Sequence, residues 1–247
     1  MALHRSLLNW FCSSLSFCQK YSRGMIVSNL GAVMLLATPS ISVAAQVNMG
    51  NVTINLPPPA GHCELMESNA SDKRMLTLNR DLLIKGGNKL LSMSADCGQL
   101  NDWRVGKRQL LDDFAQYQAS ISTINKAPAA TIEQSCAILR NEGSKIVAQK
   151  MPDIKARVEA AVEKLKVNET SYIGVLAEDP NACYAAIIQQ LHTEVGTDKT
   201  QLTLFAITIV KNRGIYVYRM GIYGENSTDS MLGKLKGDVA ALHAANR

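Results

Sequence analysis

Thr200 to Lys211 reads TQLTLFAITIVK, Asn212-Arg213-Gly214 follows, and Ile215 to Tyr223 reads IYVYRMGIY. Two long runs rich in β-branched and aromatic residues flank a short turn-forming segment. That pattern predicts an antiparallel hairpin with its tight turn at Asn212-Arg213-Gly214. Working upstream, Ser171 to Ala177 (SYIGVLA) and Ala182 to Leu191 (ACYAAIIQQL) read as two more strands, with a helix as the alternative for the second. Downstream, Asn226-Ser227-Thr228-Asp229 is placed to cap a helix. Met231, Leu232, Leu235, Val239 and Leu242 make the inward face of that helix.

The middle of the chain supplies helices and further strands. Val52 to Leu56 alternates as a short strand and runs into Pro57-Pro58-Pro59-Ala60-Gly61. His62 to Leu65 resumes as strand. Ser71 to Lys85 carries Met75, Leu78, Leu82 and Leu83 at helical spacing, with Ser71 or Asp72 as its cap and Gly86-Gly87 at its end. Lys89 to Asp96 and Phe114 to Ile121 read as strands, and Cys97 to Lys107 as an irregular polar loop. A helix from Thr131 to Lys150 presents Ile132, Cys136, Leu139, Ile146 and Val147. Met151-Pro152 is expected to break it, because the ring keeps the preceding residue out of helical geometry. A second helix, Asp153 to Leu165, presents Ile154, Val158, Ala161, Val162 and Leu165. Strands in antiparallel runs with helices between and after them define an α+β fold, a twisted antiparallel sheet packed against helices.

The N-terminus reads as an address. Residues 1–45 hold Arg5, Lys20 and Arg23 and no acidic residue. They also hold the apolar run Leu30 to Ala37 and the small residues Ser42-Val43-Ala44-Ala45. Basic start, apolar centre and small-residue exit are the plan of a secretory signal. Cleavage is expected after Ala45, with Ala44 as the alternative, and Met25 is an alternative start. An uncleaved anchor over Met25 to Ala45 is the competing reading. The remainder, 46–247, reads as a single globular domain, and the expected location is periplasmic or secreted.

Charge and cysteines sharpen that address. The whole chain of 247 residues carries a net +5. Without residues 1–45 there remain 23 basic and 21 acidic residues, a net of +2, so no nucleic-acid partner is expected. Two of the six cysteines, Cys12 and Cys18, fall in the signal segment. Cys63, Cys97, Cys136 and Cys183 remain, with no C-x-x-C pair and no compact zinc spacing. Four cysteines allow three pairings, and disulfides Cys63–Cys97 and Cys136–Cys183, nearest in sequence, are the expectation.

The stretch Asn55-Leu56-Pro57-Pro58-Pro59-Ala60-Gly61 resembles the opening of the extrinsic photosystem II subunit P (PsbP-like) superfamily. So does the order of the Thr200–Tyr223 hairpin followed by a helix ending Ala241-Leu242-His243-Ala244-Ala245-Asn246. The resemblance spans about half of residues 46–247. It implies an α/β/α sandwich around an antiparallel sheet, and it carries no catalytic motif. The chain as a whole also resembles exported bacterial proteins, which implies a place and not an activity.

The sequence carries few chemical signatures. G-x-S-x-G, H-E-x-x-H, the Walker loop and G-x-G-x-x-G are all missing from the sequence. His62, His192 and His243 are far apart, and Glu194 near His192 makes only a weak pair; they read as surface histidines, with no metal and no cofactor expected. The densest polar cluster is Asp96 to Arg104. There Trp103 would offer a stacking platform and Arg104 an anion hook, with Asp96 and Asp102 alongside. This is the candidate partner-binding loop, and the alternative makes Trp103 a core plug with Asp102 and Arg104 solvated. Asp112-Asp113 could meet Asp96 as acid and base. Tyr216 and Tyr218 share a strand face, read as packing beneath the final helix. The basic residues Lys150, Lys155, Arg157, Lys164 and Lys166, interleaved with acids, read as a solvated helix face. The sequons at Asn51, Asn69, Asn168 and Asn226 mark exposed turns. The resulting expectation is a monomeric, non-catalytic binding or accessory protein of the cell envelope, with an envelope protein or small ligand as partner. The alternatives are an enzyme built on Asp96, Asp102 and Arg104, and an accessory protein anchored by its N-terminal helix.

Overall fold

The computed structural model describes residues 44–247 except 109, 162–164, 194–197 and 225–227. The signal segment through residue 43, Val162, Lys164, Glu194, Asn226 and Ser227 therefore lie outside the described residues. β1 (Ala45–Met49) and β2 (Val52–Leu56) form a two-stranded antiparallel hairpin. β3 (His62–Glu64), α1 (Ala70–Lys85), β4 (Asn88–Asp96), α2 (Cys97–Arg104) and β5 (Phe114–Ser120) follow. After them come α3 (Ile132–Ala161), β6 (Leu165–Asp179), β7 (Ala182–Thr193), β8 (Asp198–Val210), β9 (Arg213–Ile222) and α4 (Thr228–Ala244). Seven strands make one fully antiparallel sheet in the order β3-β4-β5-β9-β8-β7-β6. The fold is α+β.

Two apolar cores lie on opposite sheet faces. Met75, Leu82 and Leu83 of α1 and Leu139, Ile146 and Ile154 of α3 pack on Met93, Phe114, Phe205 and Tyr218. On the other face, Met231, Leu235, Val239 and Leu242 of α4 join Ile54 and Leu56 of the hairpin over Tyr117, Leu204 and Val217. With both faces covered, β5 is buried at every position. That is why its hydrophobic alternation is weak in the sequence.

The hairpin from β8 to β9 forms as expected, but its turn sits one residue earlier. Lys211 and Asn212 take φ of 46° and 60°, and Val210 pairs with Arg213. A two-residue loop with positive φ at both positions matches the right-handed twist of the strands. Arg213 and Gly214 thus belong to β9. Tyr216 and Tyr218 do share a face, but it is the one covered by α1 and α3 and not by the final helix. The odd positions, Val217 and Arg219, face α4.

Other boundaries move for identifiable reasons. The cap of α1 is Asn69, whose side-chain oxygen accepts from the N–H groups of Ser71 and Asp72 at 2.9 and 3.2 Å. Residues 97–104 are helical where a loop is expected. Asp96 caps that helix by accepting from Gln99 N at 2.9 Å, and Cys97 anchors it through a disulfide to Cys63. Pro152 lies inside α3 and does not break it. A proline within a helix costs about 3 kcal/mol. Ile146 and Val147 before it and Ile154 and Val158 after it are buried in one core, and each contributes about 1.5–3 kcal/mol. Packing outweighs the break, so 132–161 is one helix. Leu165 opens β6 and does not end a helix.

A close approach pins α3 to the sheet. Tyr172 Oη of β6 donates to the carbonyl of Leu139 at 3.1 Å. A Cβ added at Gly143 would stand 2.3 Å from Tyr172 Cε1. Gly143→Ala is therefore expected to cost about 1–3 kcal/mol through overpacking, read as a lower urea midpoint. In a Tyr172→Ala background the same change should cost less than about 0.5 kcal/mol. An undiminished cost there would show that a contact other than the ring is responsible, since helix propensity favours alanine over glycine.

Candidate functional site

The polar groups gather at the β3–β4–β5–β9 end of the sheet, on the face that α4 covers. His62 is the first residue of edge strand β3, and Asp113 immediately precedes β5. His62 Nε2 lies 3.1 Å from Asp113 Oδ1. Arg219 Nη1 stands 3.7 Å from the same carboxylate oxygen. Arg219 Nε donates to Asp238 Oδ2 on α4 at 2.6 Å. These four side chains form an alternating array, His62–Asp113–Arg219–Asp238, that ties β3, β5, β9 and α4 together. Beside it, Ser92 Oγ donates to Glu64 Oε1 at 2.9 Å. Tyr117 Oη donates to the Pro57 carbonyl at 2.8 Å.

The environment drives these carboxyls apart. Burial by itself would raise the pKa of Asp113, but the His62 hydrogen bond and the charges of His62, Arg219 and Lys234 leave it below the ordinary range. Burial dominates at Asp238 and holds it above the ordinary range, although the Arg219 hydrogen bond and charge oppose the shift. Glu64 is likewise raised by burial, with the Ser92 hydrogen bond pulling the other way. Oppositely shifted carboxyls are a signature shared by acid–base sites and structural ion networks.

Geometry separates those two possibilities. The His62 side chain is only 3% exposed. Its Nδ1 faces the Ala60 carbonyl at 3.4 Å while Nε2 faces Asp113, so both ring nitrogens point at protein acceptors. Arg219 and Asp238 are about as buried as His62, and only Asp113, 26% exposed, reaches solvent. The array holds β3 and α4 against the sheet and presents no open imidazole nitrogen to a reactant.

A depressed carboxyl stabilises the fold above its unfolded pKa, and that contribution disappears as pH falls through the folded value. Asp113→Asn is accordingly expected to lose about 1–3 kcal/mol near neutrality. The gap to the parent protein should close as pH drops through and below the ordinary carboxylate range. Urea titrations at stepped pH check this, and a gap independent of pH would assign the loss to packing.

Asp96 is the α2 cap. Arg104 is not free: its Nη2 and Nε grip Asp72 Oδ2 and Oδ1 at 2.5 and 3.0 Å, with Asp72 fully buried. Trp103 is half-buried and packs against the core. Asp102 is exposed. Asp102 and Arg104 therefore lie in one short helix that Asp96 caps, and no contact among the described residues joins the three side chains in one site. Asp113 does come next to Asp96, but through the backbone, its carbonyl accepting from Asp96 N at 3.0 Å. Asp112 meanwhile pairs with Arg108 at 2.6 Å and Lys199 at 2.9 Å.

His62 is buried and not a surface histidine. His243 Nε2 lies 2.8 Å from Thr208 Oγ1, and His192 pairs with Asp198 at 2.5 Å on the surface. Arg157 pairs with Asp153 and Lys155 with Glu159, but Arg157 is only 15% exposed and also donates to the Leu82 carbonyl at 3.3 Å, so it ties α3 to α1 and is not part of a solvated face. Among the described residues no group of three or more His, Cys, Asp or Glu is arranged to hold a metal ion.

Sequence reasoning misses the array in which Asp113 joins His62 to Arg219. Arg219, a lone cation inside the strand run Ile215 to Tyr223, was the available signal, since a buried strand position carrying a charge needs a partner. The disulfides are Cys63–Cys97 and Cys136–Cys183, as expected. Among the described residues no helix is long and apolar enough to cross a membrane.

No protein-family model matches the chain, and no curated protein does. A structure search finds likeness to the Ran-binding protein Mog1p of Saccharomyces cerevisiae. It covers 82% of this chain and 93% of that one, at 7% identity and a TM-score of 0.28.

Proposed function

We propose that this chain is an exported protein of the cell envelope with a PsbP-like α/β/α sandwich and a non-catalytic binding or accessory role. Its signal segment is removed after Ala45, and it acts as a monomer on an envelope protein or small ligand. The observation that carries the reading is at the end of α2. Met66 and Val105 are 58% and 64% exposed, and both adjoin the Asp72–Arg104 pair. Met66 N donates to the same Asp72 oxygen that Arg104 holds. Disulfide, cap and buried ion pair thus make a rigid mount for two apolar side chains left in water, with exposed Asp102 beside them. Rigid presentation of exposed apolar groups suits recognition. The two disulfides favour an oxidising compartment.

Two measurements test it. Intact mass of the exported protein is expected to place its N-terminus at Gln46, and retention of residues 1–45 would select the anchored alternative. Cross-linking in the envelope fraction is expected to capture one partner that Val105→Asp loses. Hydrolytic turnover abolished by an Asp102 or Asp113 substitution would overturn the non-catalytic role.

A further inference from the structure

The two disulfides sit in different surroundings. Cys136 and Cys183 are 0% exposed, between α3 and β7. Cys63 and Cys97 are each partly exposed. Cys63 is the middle residue of β3, a three-residue edge strand with β4 as its one neighbour in the sheet. Cys97 is the first residue of α2. Thiol–disulfide exchange needs a thiolate to reach a sulfur directly, so access selects between the bonds.

The Cys63–Cys97 region also has other attachments that do not need the bond. Cys97 N donates to the Gly61 carbonyl at 3.1 Å, and Leu65 N to the Met93 carbonyl at 2.9 Å. His62, Cys63 and Glu64 pair with Asp96, Ala95 and Ser94. His62 holds Asp113, and Arg104 holds Asp72. With the S–S bond open, these contacts keep the two Cα atoms, 4.9 Å apart in the closed form, close enough to reclose. Cys136–Cys183, in contrast, can be reached only if α3 lifts from the sheet.

We propose that Cys63–Cys97 is a reversible exchange site for a protein dithiol reductant, while Cys136–Cys183 is permanent. A reductant thiolate attacks one sulfur of the pair, the S–S bond breaks, and a mixed disulfide forms. The released cysteine takes up a proton. The second reductant thiol, as thiolate, attacks the mixed disulfide and frees the other cysteine, which is protonated in turn. Two electrons and two protons pass to this chain, and the reductant departs as a disulfide. Opening frees β3 and residues 57–61 from their covalent tie to α2, beside the Met66–Val105 surface. The exchange site does not depend on the binding role above: it stands on the disulfides alone.

The test uses the full chain, purified oxidised and kept native. Dithiothreitol is the reductant, N-ethylmaleimide traps the thiols, and peptide mass spectrometry follows each cysteine, with Cys12 and Cys18 resolved as separate peptides. Cys63 and Cys97 are expected to label at least about tenfold faster than Cys136 and Cys183. The far-UV spectrum should hold, and oxidised glutathione should restore the bond. A Cys63→Ser/Cys97→Ser variant should keep that spectrum and the Cys136–Cys183 bond. Equal labelling of the two pairs, labelling only where the spectrum is lost, or a variant that fails to fold would each overturn the proposal.

Discussion

Arg219→Met is expected to destabilise the protein by about 3–5 kcal/mol. Asp238 on α4 would then be a carboxylate with 6% exposure and without its hydrogen-bonded cation, and Asp113 would lose one of the charges that lower its pKa. An isolated buried charge costs far more than the pair is worth. The double variant Arg219→Met/Asp238→Leu removes both charges and should recover most of the loss, since apolar replacement of a buried pair is often neutral. Urea unfolding of both variants, with slopes compared, measures this. A single-variant cost under about 1 kcal/mol would mean that solvent reaches Asp238 when Arg219 is gone.

Cys136→Ala/Cys183→Ala is expected to cost about 2–5 kcal/mol. Loop-entropy arithmetic barely distinguishes the sequence separations of 47 and 34 residues, because the dependence is logarithmic. Burial separates the two bonds. Cys136 and Cys183 are fully enclosed where α3 meets β7, so two alanines also leave unfilled volume in the core. The variant should unfold at markedly lower urea and expose α3 first to hydrogen exchange. Exchange that rose first in α2 would place the weakest attachment at the β3–β4 end of the sheet.

How much was legible depended on the range of the interaction. The β8–β9 hairpin, the strand character of β7 and the apolar stripe of α4 follow from periods of two and 3.6 read over short windows. Boundaries set by a competing long-range term were not legible. Pro152 inside α3 is one, where burial of Ile154 and Val158 outweighs a local break. The helix at 97–104 is another. Its Asp96 cap was present in the sequence, but the Cys63 bond and the Asp72 ion pair that hold the helix come from 34 and 32 residues away. At the candidate site, Asp96 to Arg104 read as a set because they are neighbours in sequence. The folded chain gives them separate duties and assembles another set, His62, Asp113, Arg219 and Asp238, from positions up to 176 residues apart.

The sequence by itself determined the α+β class, the set of four cysteines and most of the order of strands and helices, though not β1, α2 or the continuity of α3 across Pro152. Those depend on composition, spacing and local periodicity, each carried by consecutive residues. The tertiary structure decided which face each strand residue meets and which charges share a site. It put Tyr216 and Tyr218 under α1 and α3, turned Arg219 toward α4, and buried His62 between two acceptors. Facing is set by how both covers pack on the sheet, and a charge buried among strands is stable only where the fold brings its counter-charge within reach.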